Sequence, residues 1–563
     1  MAYQKRTFKK SYKSKYNKEP LTKQPRFTPP GGWNKEFSKV FNFVENETGN
    51  GAIEAVAGGG KTTALVEAVI RYCEKNPSHR VVFVAFNKSI KEEGQRRLAG
   101  YPVDVMTVHG LGYRSVMKGP WNTGKLQFDV QDSKGLYMRT LVENKLGYEK
   151  DKHSERESLL DLISKAKTCL GSDIEGLIDL MNRFDIKTTY KESEFAQYAL
   201  DVMEETRKAP YKVQVKGRGG RLQSKIALTY DDQCWLPVVN GWAIEQYNAV
   251  FVDEAQDLSP VRRELIKRAL KQNGRMFVVG DRFQSIYSFA GADIESLPML
   301  IEEFDCKSLP LSCSWRCAKS IVMEAQQFNP DITWAPNAKD GIVDEIKGEK
   351  MLEAPKAGDA IISRTNAPLV KLFFQFARRQ IKVKFIGRDY GQMLAYRIRS
   401  WKFKHEAQVE KGNASGPFNG RMLLEANDNW LWTTAENSSK DGEEVSMENI
   451  NDRIKDEHAT VIALTDGLNN SLNSEAAVQE VLDRCNAFSP DEKPEDDGCG
   501  HITLSSTHRF KGLERDHVYM LTDTYKPGNG QEETNLTYTA ITRARKHLTY
   551  VSGELPQSNS ENS

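Results

Sequence analysis

The densest chemistry in the chain lies in eight residues, Ala55-Val56-Ala57-Gly58-Gly59-Gly60-Lys61-Thr62. Three glycines let backbone N–H groups approach the oxygens of an anion, and a helix that starts at the loop adds the positive end of its dipole. Ala57, Gly58, Gly59, Gly60 and Thr63 fit such a phosphate cradle, Lys61 would neutralise β- and γ-phosphates, and Thr62 would ligate Mg2+. Ala55 stands where the generic pattern has glycine. The bland alternative is a structural glycine turn. A loop of this kind also needs a metal-holding acid on a neighbouring strand, and Ala249-Val250-Phe251-Val252-Asp253-Glu254-Ala255-Gln256-Asp257 supplies one. Four apolar residues predict a buried strand with Asp253 at its C-terminal end, where ligands bind in open α/β sheets. Asp253 would hold Mg2+ through water, and Glu254 would orient and deprotonate the attacking water. Taken alone, such an acid pair can also be a helix cap.

The surrounding elements have the pattern these groups need. Ile53–Val56 predicts a short strand running into the glycine loop, Thr62–Tyr72 a helix, and Val81–Phe86, Val103–Val108 and Met276–Val279 further buried strands. Asn34–Val44 predicts an amphipathic helix, with Phe37, Val40, Phe41 and Val44 on one face. Strand–loop–helix units of this kind predict a doubly wound α/β domain. From residue 113 to 228 the pattern turns helical and charged, with a basic glycine loop at Gly217–Gly220. A second α/β region is expected from about residue 301, with a strand at Ala360–Ser363. From 391 to 494 the periodicity fades, and strands are expected again at Ile502–Ser505 and His517–Leu521.

The chain has 563 residues, 39% hydrophobic and 28% charged, which predicts several domains rather than one core. No apolar run reaches about 18 residues, which argues against a transmembrane helix, and the basic N-terminus lacks the apolar segment of a secretory signal. The eight cysteines are scattered. Cys306, Cys313 and Cys317 lie close together but have no nearby fourth ligand, so reduced cysteines and a cytoplasmic setting are expected. The formal net charge of +2 hides an asymmetry, because residues 1–26 carry nine Lys or Arg against Glu19 alone. That tail, with Tyr3, Phe8, Tyr12 and Tyr16 interleaved, suits phosphates and bases, or is a solvated arm without a partner.

Further blocks resemble the UvrD/Rep type of superfamily 1 helicases, in the family's order. Asp253-Glu254-Ala255-Gln256-Asp257 resembles the second motif of that family. Val279 to Ala292, which contains Gln284-Ser285-Ile286-Tyr287, resembles motif III. Ser314-Trp315-Arg316 resembles motif IV, Thr507-His508-Arg509-Phe510-Lys511-Gly512-Leu513-Glu514 motif V, and Tyr538 to Ala544 motif VI. Thr107-Val108-His109 is similar to motif Ib, and Asn87-Lys88 to motif Ia. Phe86 is one residue out of the family's register and is assigned no role.

The resemblance implies two RecA-like P-loop domains, each with an insertion: 31–112 with 229–300, interrupted by a helical insertion at 113–228, and 301–390 with 495–553, interrupted by 391–494. Tails at 1–30 and 554–563 are expected to be disordered. It implies ATP and Mg2+ as cofactors, Arg316 and Arg543 as arginine fingers, Gln284 as γ-phosphate sensor, Glu514 at the ribose and Trp315 stacked on the base. Tyr287 and Phe289 would stack DNA bases, and Asn87, Thr107, His109, Thr507 and His508 would meet the DNA backbone. Single-stranded DNA and its junctions with duplex are the implied partners, with replication or repair proteins, a monomeric state, no membrane and 3′-to-5′ movement. A protein-stripping translocase and a nucleotide-gated scaffold remain alternatives. Two departures stand out. No glutamine lies near Phe37 and Ser38 where the family reads adenine, which leaves strictness for ATP open. Ala290 stands where motif III carries arginine.

Overall fold

The computed structural model describes residues 27, 29, 32–124, 126–149, 152–216, 222–288, 291–436, 447, 450–468, 471–488 and 500–556. Two six-stranded parallel sheets organise them. In the first, strands run in the order Val103–Thr107, Val81–Ala85, Tyr247–Val252, Leu270–Gly280, Asn50–Glu54 and Cys306–Ser308. Strand alternation sorts the side chains between two layers. Val81, Phe83, Phe251, Phe277 and Val279 face helices Lys35–Asn46 and Lys61–Lys75. Val82, Val84, Val250, Val252 and Val278 face the opposite layer. Both faces are therefore apolar, as the continuous apolar runs require.

The second sheet has the order Ile342–Lys347, Ala544–Ser552, Arg515–Leu521, Ala360–Ser363, Ile502–Ser506 and Val383–Phe385. Ile361, Leu504, Tyr519 and Leu521 pack on one side, and Ala360, Ile362, Val518, Met520 and Leu548 on the other. The protein is thus α/β with parallel sheets flanked by helices.

Three expectations need correction. Strand Cys306–Ser308 pairs with Asn50–Ala52, so this stretch belongs to the first sheet, and the second sheet begins only at Ile342. Asp305, with φ +46°, turns the chain back onto that edge. The segment expected to be helical between 113 and 228 also holds a small sheet, in which Leu222–Thr229 pairs parallel to Gln127–Gln131 and antiparallel to Lys212–Lys216. Val213, Ile226 and Leu228 bury their side chains there among the helices. The segment without clear periodicity forms helices Arg388–Glu410, Gly420–Glu436, Asp452–Leu464 and Glu475–Asn486. Its apolar residues are diluted by Asn, Asp and Glu on the exposed faces, which hid the helical period. The expectations for both tails, for the glycine loop 217–220 and for Phe289 and Ala290 fall outside the described residues, apart from the few tail residues given above.

Helices Val108–Lys118 and Tyr230–Val239 cross closely at Gly112, where an added Cβ would lie 2.1 Å from the Gln233 carbonyl oxygen. Gly112→Ala must push two backbones apart. Overpacking of this kind costs about 1–3 kcal/mol, so the first thermal unfolding transition should fall by several degrees. An unchanged melting curve would show that the crossing is looser than described.

Candidate active site

The glycine loop leaves strand Asn50–Glu54 and enters helix Lys61–Lys75 through Gly58 at φ +71° and Gly60 at φ +83°. Such left-handed geometry is cheap only for glycine. At Gly58 a side chain would also collide, since its Cβ would lie 2.6 Å from Cβ of Arg316. The Trp315 N–H donates to the Gly58 carbonyl at 2.9 Å. The loop is therefore clasped by the segment carrying Trp315 and Arg316, and the Trp315 ring remains 48% exposed at the rim.

Asp253 and Glu254 follow strand Tyr247–Val252, as the sequence predicts. The Thr62 hydroxyl donates to Oδ2 of Asp253 at 2.9 Å. Burial, then the neighbouring Glu254 carboxylate, pushes the Asp253 carboxyl up. Two convergent hard oxygen donors, one of them a buried charge lacking full compensation, fit a small divalent cation such as Mg2+. Glu254 sits at φ +50°, a left-handed position uncommon for a side chain of this size, and pairs with Lys61 at 3.2 Å. Gln256 Nε2 also donates to it at 2.5 Å. Burial alone would raise the Glu254 carboxyl, but Lys61, Lys511 and the Gln256 bond outweigh it and hold it low.

Arg543 is 1% exposed. Its guanidinium donates to carbonyl oxygens of Thr539 (2.9 Å) and Leu513 (3.3 Å), to the Thr542 hydroxyl (3.2 Å) and to Oε1 of Gln284 (3.4 Å). Burial and the nearby Arg316 charge depress it to about 10. Among the described residues no carboxylate lies within ion-pair distance of it. Such a buried cation, held by neutral acceptors, favours an incoming anion. Arg316 instead pairs with Glu514, which also meets Arg545 at 3.8 Å. Gln284 is fixed by donating to Asp281 Oδ2 at 2.6 Å. One cleft of about 2910 Å³ joins Gly58–Thr63, Glu254, Gln284, Trp315, Arg316, Glu514 and Arg543.

Several contacts across this cleft have no counterpart in the roles read from sequence. The Ala57 N–H donates to the Tyr538 hydroxyl at 3.1 Å. Lys511 pairs with the buried Asp257 at 2.6 Å, donates to the Gln284 carbonyl at 2.7 Å, and lies 4.7 Å from the Tyr287 ring centre. Asn535 Nδ2 donates to the Ser285 carbonyl at 3.0 Å. All but Asn535 sit inside the quoted motifs, but only spatial pairing gives them partners.

The expected strand contacts divide. Tyr287 stacks on Phe86 with ring centres 6.1 Å apart and planes 17° apart, so the residue left without a role joins the aromatic wall. The cleft also reaches Phe86, Asn87, Tyr287 and His508. Asn87 and Thr107 act as helix caps, accepting from Ile90 N–H at 2.9 Å and Gly110 N–H at 3.1 Å. Thr507 is fully buried, its hydroxyl bonded to the Tyr525 hydroxyl, so here that side chain does not face the cleft. Burial and Arg262 lower His109 to about 4, and burial with Arg364 and Lys511 does the same for His508. Both rings are therefore neutral near pH 7 and can meet a phosphate only as N–H donors.

Residues 33–305 match the model of the UvrD/REP helicase N-terminal domain, and residues 501–551 match that of the UvrD-like helicase C-terminal domain. Similar proteins include F-box DNA helicase protein 1 of Schizosaccharomyces pombe, 23% identical over 88% of this chain and 55% of that protein. F-box DNA helicase 1 of Gallus gallus is 24% identical over 88% of this chain and 46% of its own length. The ATP-dependent DNA helicase Rep of Buchnera aphidicola is 24% identical over 51% of this chain and 44% of its own. The chain spans about half the length of the curated relatives it matches.

Proposed function

Since the chain belongs to the UvrD/REP helicase family, with its two RecA-like units, we propose that it is an ATP-dependent DNA helicase that moves along single-stranded DNA, 3′ to 5′, and opens duplex. The observation that carries this reading is the pairing of a glycine loop on one sheet with two guanidinium groups, Arg316 and Arg543, on the facing side of the same cleft.

Triphosphate entering the loop draws Lys61 from Glu254 onto the β- and γ-phosphate oxygens. Freed of that cation, the Glu254 carboxylate becomes more basic and takes a proton from the attacking water. Thr62 and Asp253 would hold Mg2+, which neutralises charge on the phosphate oxygens. Arg543, short of an anionic partner, meets the charge that develops on the transferred phosphoryl group. Gln284 touches Arg543 on one side and Asp281 on the other, so it relays whether the phosphate is present. The Lys511–Asp257 pair, Tyr538 and Asn535 bind the two units together when the cleft is closed. Loss of the γ-phosphate loosens them, and the units separate by one step while the Phe86–Tyr287 wall lets go of a base.

The direct test is ATP hydrolysis with and without single-stranded DNA, beside strand displacement from duplexes with 3′ or 5′ tails. Stimulated hydrolysis with opening of the 3′-tailed duplex is expected. Stimulation without opening would leave a translocase, and hydrolysis indifferent to DNA would overturn the motor. No described helix is long and apolar enough to cross a membrane.

A further inference from the structure

Beyond the motif residues, the cleft runs on between the two helical regions, and its walls there carry two aromatic rings with cations set against them. On one wall Phe184 follows helix Ile174–Arg183, with the Lys165 ammonium 4.6 Å and the Arg183 guanidinium 5.2 Å from its ring centre. On the other, Trp430 lies in helix Gly420–Glu436, with the Arg397 guanidinium 3.8 Å from its ring centre. Both rings line the same continuous cleft as the glycine loop and the Phe86–Tyr287 pair, and both are half-buried. Arg397 is itself fixed, donating to Glu457 at 2.6 Å. A guanidinium over one face of an indole polarises and orients the ring for stacking.

We propose that Trp430 and Phe184 form a second base-stacking station for the single strand, one ring on each wall of the passage between the helical regions. This rests on the reading of the cleft as a strand-binding motor. The charge balance points to bases rather than phosphates as what this part holds. Its cations are matched by carboxylates, most of them already paired: Asp161 with Lys134 at 2.9 Å, Asp185 with Lys187 at 3.0 Å, and Glu457 with Arg397 and Arg453. A near-neutral passage gives little counterion release, whereas stacking works without net charge and tolerates any sequence.

The test is fluorescence anisotropy of labelled oligothymidylates of about 8 and about 30 nucleotides on the full chain. Losing one stacked base costs roughly 1–3 kcal/mol, so Trp430→Ala should weaken binding of the long strand by about 5- to 150-fold. The short strand, held by the Phe86–Tyr287 wall, should bind as before. Trp430→Phe should recover most of the loss, and Phe184→Ala should mimic it. The ratio between variant and parent affinities should stay the same between low and moderate salt, because the lost contact carries no counterions. Basal hydrolysis without DNA should be unchanged in all variants, which reports that they fold. If the parent binds neither strand, the motor reading fails. If the parent binds both and Trp430→Ala binds the long strand equally well, the second station is wrong. A loss restored only by Trp and not by Phe, or a loss equal for both lengths, also overturns it, since then the indole supports packing rather than a base.

Discussion

Arg543→Ala lowers DNA-stimulated turnover about a thousandfold while KM for ATP stays within about threefold, because an arginine finger contributes roughly 10³–10⁵ to the rate of phosphoryl transfer. The expectation follows from how the guanidinium is held. It is buried, it donates to three neutral groups of its own unit and to Gln284 across the cleft, and no described carboxylate lies within ion-pair distance of it. Ground-state triphosphate already has Lys61 and the loop amides, so little affinity depends on Arg543. Charge building on the transferred group has Arg543 as a fixed, dry cation, so the loss falls on kcat. Arg543→Lys should recover only a small part, since an ammonium cannot keep the fork of bonds to Thr539, Leu513 and Gln284 and also reach the phosphate. Single-turnover hydrolysis beside a thermal melt separates this from unfolding. Turnover within tenfold of the parent, in a variant that melts normally, would falsify the role.

The second large effect is at Glu254. Glu254→Gln should cut turnover by about 10²–10⁴, the usual worth of a general base, and leave nucleotide affinity equal or several-fold tighter. The tightening has a structural cause. Lys61 pairs with Glu254 at 3.2 Å and must leave it to reach phosphate. A neutral amide competes less for that ammonium. Equilibrium binding of a fluorescent ATP analogue, alongside steady-state hydrolysis, reads both halves. Weaker binding together with normal turnover would show that Glu254 only braces the loop.

What sequence reveals here depends on how far apart the partners lie. The glycine loop, the acid pair and the strands below them are contiguous, and local periodicity with residue type was enough to read them. The Ala57–Tyr538 and Asp257–Lys511 contacts join residues hundreds of positions apart, and no local pattern carries that pairing. Motif letters also conceal how a side chain is used. Asn87 and Thr107 spend their oxygens on helix ends, and Thr507 spends its hydroxyl inside the second unit, where the sequence suggested a DNA contact. Phe86 went the other way, since a register argument withheld a role and stacking on Tyr287 supplies a place. The small sheet between 127 and 229 was missed because its strands are short, half-polar and surrounded by strong helical periods.

Strand order also sets a timetable for making this molecule. Val81–Ala85 must wait for Tyr247–Val252 before it has its inner neighbour, and synthesis at about 5–20 residues per second opens a gap of roughly ten to thirty seconds on the ribosome. The second sheet waits longer for Ala544–Ser552, which settles between Ile342–Lys347 and Arg515–Leu521 rather than at an edge. Nascent chains therefore carry the wholly apolar Val81–Ala85 with one flank unpaired for much of their translation. A chain cut just before residue 544 would release Ile342–Lys347 and uncover the flank of Arg515–Leu521, giving an aggregation-prone product rather than a slightly shortened enzyme.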